Sequence, residues 1–478
     1  MKLSGWWLKI IAAAILFFLP ALWIRHVPNR TAAGKYRLLY PTFLGNETRT
    51  FYGGGLPDSL GIVWQRYFGG SFTRLGQKLH LWSGTGWTGQ PVMLREGNRE
   101  YLFIGGFDHK LHKLDARTGA EVWAYDFGDV IKGTATIMAL DSNRVLVMQG
   151  SRMGADKTLG SPIVTSFRAL DADGREKWRL SVRLTDSYSR DVDASALVLD
   201  SLVALGAENG ILYVIDPNPD KCKMRDGVRQ PKILKEIMLY EPGDGVRHRG
   251  NLVTEASPCR LADRIYVSAG SGHVYGINVR TWETEWRFDT GTDLDGTPTV
   301  TDDSCLLVSV EKQYITGQGG VFKLDPRRSP AEAAVWFFPT GNRRFFDWEG
   351  GVVGSVTVQD SLAVFRAIDG NLYLVNHCLL EPDRTARFKK RDYPRPILLA
   401  KVPLSPAIAT SLIIDDQILT VGYDAKLRIY DIVRSGAAIS LAPWDSLAVT
   451  GFFESTPLVW NSRIYVGNRN GWFYCIGE

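Results

Sequence analysis

Apolar and polar residues alternate along this chain in short runs closed by Gly, Asn or Asp, as in "EYLFIGGFDHKLHKL", "DRIYVSAGSGHVYGI" and "SRIYVGNRNGWFYCIGE". Period-two alternation over five to eight residues predicts half-buried strands, and the glycine-rich breaks predict tight turns. A third run with its own tail follows most pairs: "LDARTGAEVWAYDFG" at 114–128, "LDADGREKWRLSV" at 170–182, "INVRTWETEWRFDTG" at 277–291 and "LDPRRSPAEAAVWFFPTG" at 324–341. Phased on Asp115, the marks fall at Asp171, Asp216, Asn278, Asp325, Asn376 and Asp431, roughly 45–62 residues apart, which suits four short strands and their turns.

The last repeat stops after its third strand, at Glu478, while "LGIVWQRYFGG" at 60–70 carries the missing Trp and Gly tail. Using it as the outer strand of the last repeat closes a ring and removes an open sheet edge. The expectation is an all-β, eight-bladed propeller whose blades begin near residues 84, 130, 190, 250, 294, 349, 405 and 452.

The tail resembles the pyrroloquinoline-quinone-like (quinoprotein-like) β-propeller repeat, AxDxxTGxxxWxxxxG, most closely at 114–128. Gly119 suits a positive φ, Asp115 and Thr118 suit local hydrogen bonds in the turn, and Trp123 is placed to dock between blades. Trp64, Trp178, Trp286 and Trp336 stand at the same position, whereas blades three, six and seven lack it. The resemblance implies either a quinone-dependent dehydrogenase or a cofactor-free scaffold such as the outer-membrane assembly lipoprotein. The adjacent Cys pair of the alcohol dehydrogenases and a haem motif are both missing, so the scaffold is favoured: no cofactor is expected, calcium is a candidate, and pyrroloquinoline quinone is not. The rival is a calcium- or quinone-dependent oxidoreductase, or a small-ligand sensor.

Cys222, Cys259, Cys305, Cys378 and Cys475 are scattered and lack metal spacing, and they read as small buried hydrophobes. A net charge of +5 with no basic, aromatic-laced stripe argues against nucleic acid. "GTGWTG" at 84–89 precedes a strand and reads as a propeller turn, and His109 and His112 read as edge or surface residues.

Aligning the starts of the inner strands brings Thr88, Lys132, Asp193, Glu255, Asp295, Glu349 and Glu454 to one channel mouth, with Pro403 in blade seven. The five carboxylates form a calcium or cationic-ligand site, or else a solvated polar rim, with Arg247, Arg249, Arg343 and Arg344 near enough to compensate.

The N-terminus is apolar from Ile10 to Ile24, about 22 Å as a helix against a hydrocarbon core of ~30 Å, and it spans if counted from Trp6. Residues 1–26 are read as a signal peptide or membrane anchor, 27–59 as a linker and 60–478 as the propeller. The Lys and Arg count would place the body in the cytoplasm, while the signal-like shape places it outside; export is adopted. The basic insertions 216–236 and 377–396 are expected on one face, turned toward lipid headgroups. The composite expectation is a membrane-tethered, extracytoplasmic scaffold for protein partners of the cell envelope.

Overall fold

Each run of alternating residues forms one strand of a four-stranded antiparallel sheet, and eight such sheets form a β-propeller. The computed structural model describes residues 34–436 and 438–478. From the channel outward, blade one comprises Val92–Glu96, Arg99–Gly105, Lys110–Asp115 and Glu121–Asp126. Blades two to eight have inner strands Thr136–Ala139, Leu197–Leu199, Cys259–Leu261, Thr299–Val300, Thr357–Gln359, Leu412–Ile414 and Leu458–Trp460. The last blade takes Gly61–Tyr67 as its outer strand, antiparallel to Trp472–Gly477, so the two ends of the ring close as the sequence predicts.

Faces between blades form the core, because a strand buried on both sides needs apolar residues on both. One such layer joins blades two and three: Met148, Phe167 and Trp178 of the former pack with Val203, Leu205 and Tyr213 of the latter, all buried.

The tail residues latch each blade to the next. Asp115 Oδ1 accepts from the backbone N–H of Arg117 and Thr118 and from Thr118 Oγ1, each at 3.0 Å, and Gly119 turns the chain at φ +71°. Trp64 Nε1 of blade eight donates to Ala116 O of that turn at 3.2 Å. Trp123 does the same to Ala172 O, Trp178 to Pro217 O, Trp286 to Arg328 O and Trp336 to His377 O. Every acceptor lies on the following blade.

The stretch read as a linker, 27–59, is described from residue 34, and that part belongs to the propeller. Tyr36–Tyr40 pairs with the inner strand of blade one, and Gly53–Gly54 runs parallel to the inner strand of blade eight. Between them the chain crosses the channel, with Tyr40, Leu44 and Arg49 wholly buried. Its backbone and side chains meet the otherwise open inner edges: Ile137 N–H donates to Pro41 O, Arg260 N–H to Glu47 O, Val300 N–H to Thr48 O and Val358 N–H to Tyr52 Oη. Arg49 is held by oxygens other than carboxylates: it donates to Pro258 O through Nε and Nη2, and to Thr42 Oγ1 and Phe43 O through Nη1. Burial lowers its guanidinium pKa to about 10.

The insertions take defined shapes, and two expectations, for His112 and for the cysteines, are corrected. The insertion 377–396 is no free loop: it extends the hairpin Asn371–Phe388 and Arg391–Pro403, whose tip lays Phe388 and Tyr393 on Phe322 and Phe337 of blade five. The aromatic tip is buried while Arg384 and Arg387 stay largely exposed beside Glu381 and Asp392, and Lys389 lies 3.9 Å from Asp289. His112 is buried rather than at an edge, held between Asp108 and Glu121 and stacked on Phe68 at 4.1 Å. The five cysteines are free, but only Cys259, Cys305 and Cys475 are buried; Cys222 is half-buried and Cys378, on the extended hairpin, is exposed. The insertion 216–236 forms a small hairpin, Lys223–Arg225 with Val228–Gln230, before its outer strand. The proposed signal or anchor, 1–26, lies outside the described residues, and no helix among the described residues is long and apolar enough to cross a membrane.

Candidate functional site: an acidic channel mouth

A belt of hydroxyls sets the register of the mouth. Ser195 N–H donates to Ser257 Oγ, Ser257 N–H to Thr297 Oγ1, Thr297 N–H to Ser355 Oγ, Ser355 N–H to Thr410 Oγ1, and Thr410 N–H to Thr456 Oγ1. Each bond joins neighbouring blades at equivalent positions. Thr134 belongs to the same belt, accepting from Gln90 N–H at 2.8 Å, and two residues before the seven hydroxyls stand Lys132, Asp193, Glu255, Asp295, Val353, Ile408 and Glu454.

This belt corrects the sequence alignment in two blades. Glu349 is four residues out of register; it lies in an inserted hairpin, Asn342–Phe345 with Trp348–Gly350, and pairs with Lys312 at 3.0 Å. Val353, not Glu349, is its blade's rim residue, and Ile408 replaces Pro403. These two form an apolar patch with Ile368, flanked by Trp87, Phe345, Trp348 and Tyr423. Glu454 is at the rim but is neutralised by Arg469 at 2.6 Å and accepts from Tyr423 Oη at 2.8 Å. Of the five predicted carboxylates, Asp193, Glu255 and Asp295 converge; Thr88 lines the same cavity.

The mouth adds acids that the sequence alignment missed. Asp193, Glu208 and Glu255 form one triad, and Asp293, Asp295 and Glu311 a second, each with carboxylate oxygens within 4.8 Å of one another. Asp191 is buried beside them, 3.4 Å from Arg152. The available signal was the repeated Asp-x-Asp in "RDVD" and "TDLD", before the inner strands of blades three and five.

Lys132 is the internal cation of the first triad. Its Nζ contacts Asp193, lies 3.1 Å from Glu208 and 3.8 Å from Glu255, and sits 5.3 Å from the Trp87 ring centre. Trp87 Nε1 donates to Glu255 at 2.5 Å. Burial works against the ammonium, but the three acids outweigh it and raise its pKa far above the usual value. Glu208 is likewise opposed by burial, yet Lys132 holds it below the usual range. Burial and neighbouring negative charge push Asp193 and Glu255 well up. Burial also drives Asp191 to about 6, Asp293 to about 7 and Asp295 to about 8. The compensating cation is Lys132 rather than the four predicted arginines; Arg247, for instance, pairs with Asp244.

Between Asp193, Glu255, Asp295 and the strap's Phe43 is a cavity of about 20 Å³ as traced by a water's centre, room for a water or an ion. Organic ligands need ~300–1,000 Å³. A tricyclic quinone therefore does not fit this cavity, and the described cysteines offer no adjacent pair to stack on it.

A strapped, latched, eight-bladed ring with a filled channel defines a quinoprotein-type propeller without the quinone's space. A family model described as "Outer membrane protein assembly factor BamB" matches residues 61–329, and the chain belongs to that family. The crystal structure of BamB from Moraxella catarrhalis is similar at TM-score 0.53 and 15% identity, covering 88% of this chain and 98% of that one. Quinohemoprotein alcohol dehydrogenase from Comamonas testosteroni gives TM-score 0.58 at 14% identity, covering 92% and 81%. The computationally designed Ika8 protein gives TM-score 0.51 at 12% identity, covering 84% and 97%. At these identities the structures share the fold alone. No curated protein matches the chain.

Proposed function

We propose that this chain is a non-enzymatic scaffold of the cell envelope, tethered to a membrane by its N-terminal apolar segment and holding protein partners on the extracytoplasmic side. The observation that carries the reading is the filled channel. In a propeller of this class the axial space is where a large cofactor would sit, and here residues 40–52 occupy it from one end. Family membership supports an envelope location, since the family is described by an outer membrane assembly factor.

The partner surface in this reading is the mouth. There the inserted hairpin projects Phe346, 63% exposed, beside Trp348 and Tyr423. Exposed aromatics next to an excess of acid suit a partner segment that carries both apolar and basic side chains.

The test is site-specific photo-crosslinking in the organism that encodes the chain. A photoreactive residue at position 346 should give discrete adducts with envelope proteins, and the same residue at exposed Val122 on blade one's outer strand should not. Equal labelling at both positions, or dye reduction on adding pyrroloquinoline quinone, calcium and alcohols, would overturn the scaffold. A C-terminal alkaline phosphatase fusion tests the compartment: an inactive fusion on a folded protein would place the propeller in the cytoplasm.

A further inference from the structure

The two acid triads are built alike and balanced differently. In each, an Asp precedes an inner strand and a Glu follows the second strand: Glu208 comes after Leu202–Ala207, and Glu311 after Leu306–Val310. Lys132 enters the first. No ammonium or guanidinium pairs with Asp293, Asp295 or Glu311 among the described residues; the donors there are Asn251 Nδ2 to Asp293 Oδ2 at 2.5 Å and Leu294 N–H to Asp293 Oδ1 at 2.9 Å.

Two acceptor oxygens in this group have no donor among the described residues. One is Glu311 Oε1, on a residue 2% exposed; the other is Asn251 Oδ1, on a residue 3% exposed. Asn251 Oδ1 and Asp293 Oδ1 each lie 2.8 Å from where a Cβ on Gly270 would stand, so glycine leaves open the space between them. Buried oxygens carrying lone pairs and negative charge need a positive partner.

We propose that Asp293, Asp295 and Glu311, with the Asn251 amide oxygen, bind a divalent hard cation, calcium before magnesium. The donors are all oxygen, the set that hard cations select. Carboxylate oxygens within 4.8 Å of one another leave a central ion at most about 2.8 Å from each, so a closure of a few tenths of an ångström brings all three to the 2.3–2.6 Å that calcium takes. Magnesium, at 2.0–2.1 Å with strict octahedral geometry, uses such a spread poorly. The ion does for blade five what Lys132 does for blade three. It also ties Asn251, ahead of blade four's inner strand, to Glu311 on blade five.

The test uses the full chain in detergent, stripped with EDTA, and terbium as a luminescent probe. Tyr314 is the local sensitiser: its N–H bonds to Thr292 Oγ1 at 3.3 Å, beside Asp293. One saturable terbium site should appear, displaced by calcium at least tenfold more effectively than by magnesium. Glu311→Gln should weaken calcium at least tenfold while Glu208→Gln, in the lysine triad, changes it less than threefold. Calcium should raise the Tm of the wild type and not of Glu311→Gln. If Glu311→Gln does not fold, Asp295→Asn carries the same expectation. Protein with a native circular dichroism spectrum that binds neither ion would show that protons neutralise the triad and would overturn the proposal. So would calcium affinity unchanged in both variants.

Discussion

Replacing Lys132 with methionine keeps a side chain of similar length beside Trp87 and removes the ammonium that contacts Asp193, Glu208 and Glu255. At 3.1 Å and an effective dielectric of about 20, the attraction to Glu208 alone is ~5 kcal/mol before desolvation. The variant's own penalty is capped, because Glu208 can escape by taking a proton. At pH 7 holding that proton costs ~3.4 kcal/mol relative to the unfolded chain, from the ordinary Glu value of 4.5 and ~1.4 kcal/mol per pH unit, and this adds to the loss of the wild-type pairing. The sign follows from linkage. In the wild type Glu208 is held below 4.5, so its contribution is present above 4.5 and lost as pH falls through the depressed value. In Lys132→Met burial raises Glu208 instead, and folding then retains a proton that the unfolded chain releases above 4.5. The gap between the two proteins is therefore already present at pH 4.5 through the wild-type term, and it should widen by ~3 kcal/mol between pH 4.5 and 7. Urea unfolding followed by tryptophan fluorescence, in EDTA at pH 5, 6 and 7, measures it. A gap of equal size at all three values would refute the reasoning and assign the loss to packing of the stem.

Three further outcomes follow from other parts of the ring. Trp64→Ala should lower stability by ~3 kcal/mol and expose residues 55–61 to proteolysis, because Trp64 holds blade eight on blade one. Gly119→Ala should destabilise by ~1–3 kcal/mol in the same unfolding assay, since φ is +71° and the new Cβ would stand 2.5 Å from Trp64 Cε3. Asp191 is held near 6 by burial, which Arg152 only partly offsets, so the folded state keeps a proton the unfolded chain loses. Its contribution should fall by up to ~1.4 kcal/mol per unit as pH rises from about 4 to 6, and Asp191→Asn should flatten that slope.

What could be read along the chain was local or repeated. The Asp115 turn closes within four residues, so its chemistry is visible in "DARTG", and the closing strand declares itself by the tryptophan that other blades also carry. The mouth was half legible. Its columns align only when loops are of equal length, and the hairpin 342–350 displaced blade six by four residues, putting Glu349 where Val353 stands. Glu208 and Glu311 end a different strand from Asp193 and Asp295, and only the sheet brings them together. Lys132 stands in the same column, but its position alone does not distinguish one more rim residue from the counter-ion that its contacts with Asp193, Glu208 and Glu255 make it. The strap gave no signal because its groups are matched to the channel wall and not to a period of its own: Arg49 is caged by carbonyls that include one 209 residues away.

That strap explains why one end of the channel differs from the other. The inner strand of every blade presents unpaired N–H and C=O groups toward the axis, and a short inner strand cannot satisfy them by itself. Residues 36–54 supply partners in sequence to blades one to six and to blade eight, then continue into the outer strand of blade eight. One segment thus seals the ring at its inner edge and at its closing blade. Phe43 ends the penetration directly against the acidic cavity. Among the described residues the strap thus covers the cavity beside Asp295 from its own side, and the rim end faces an ion or a partner's cationic side chain. Arg49→Met tests the dependence: with Pro258 O and Phe43 O left without their donor, the variant should lose ~2–5 kcal/mol. If the strap sets the cavity floor, its calcium affinity should fall with its stability. Unchanged affinity in a destabilised Arg49→Met protein would separate the two and show that the acidic mouth is organised by the blades alone.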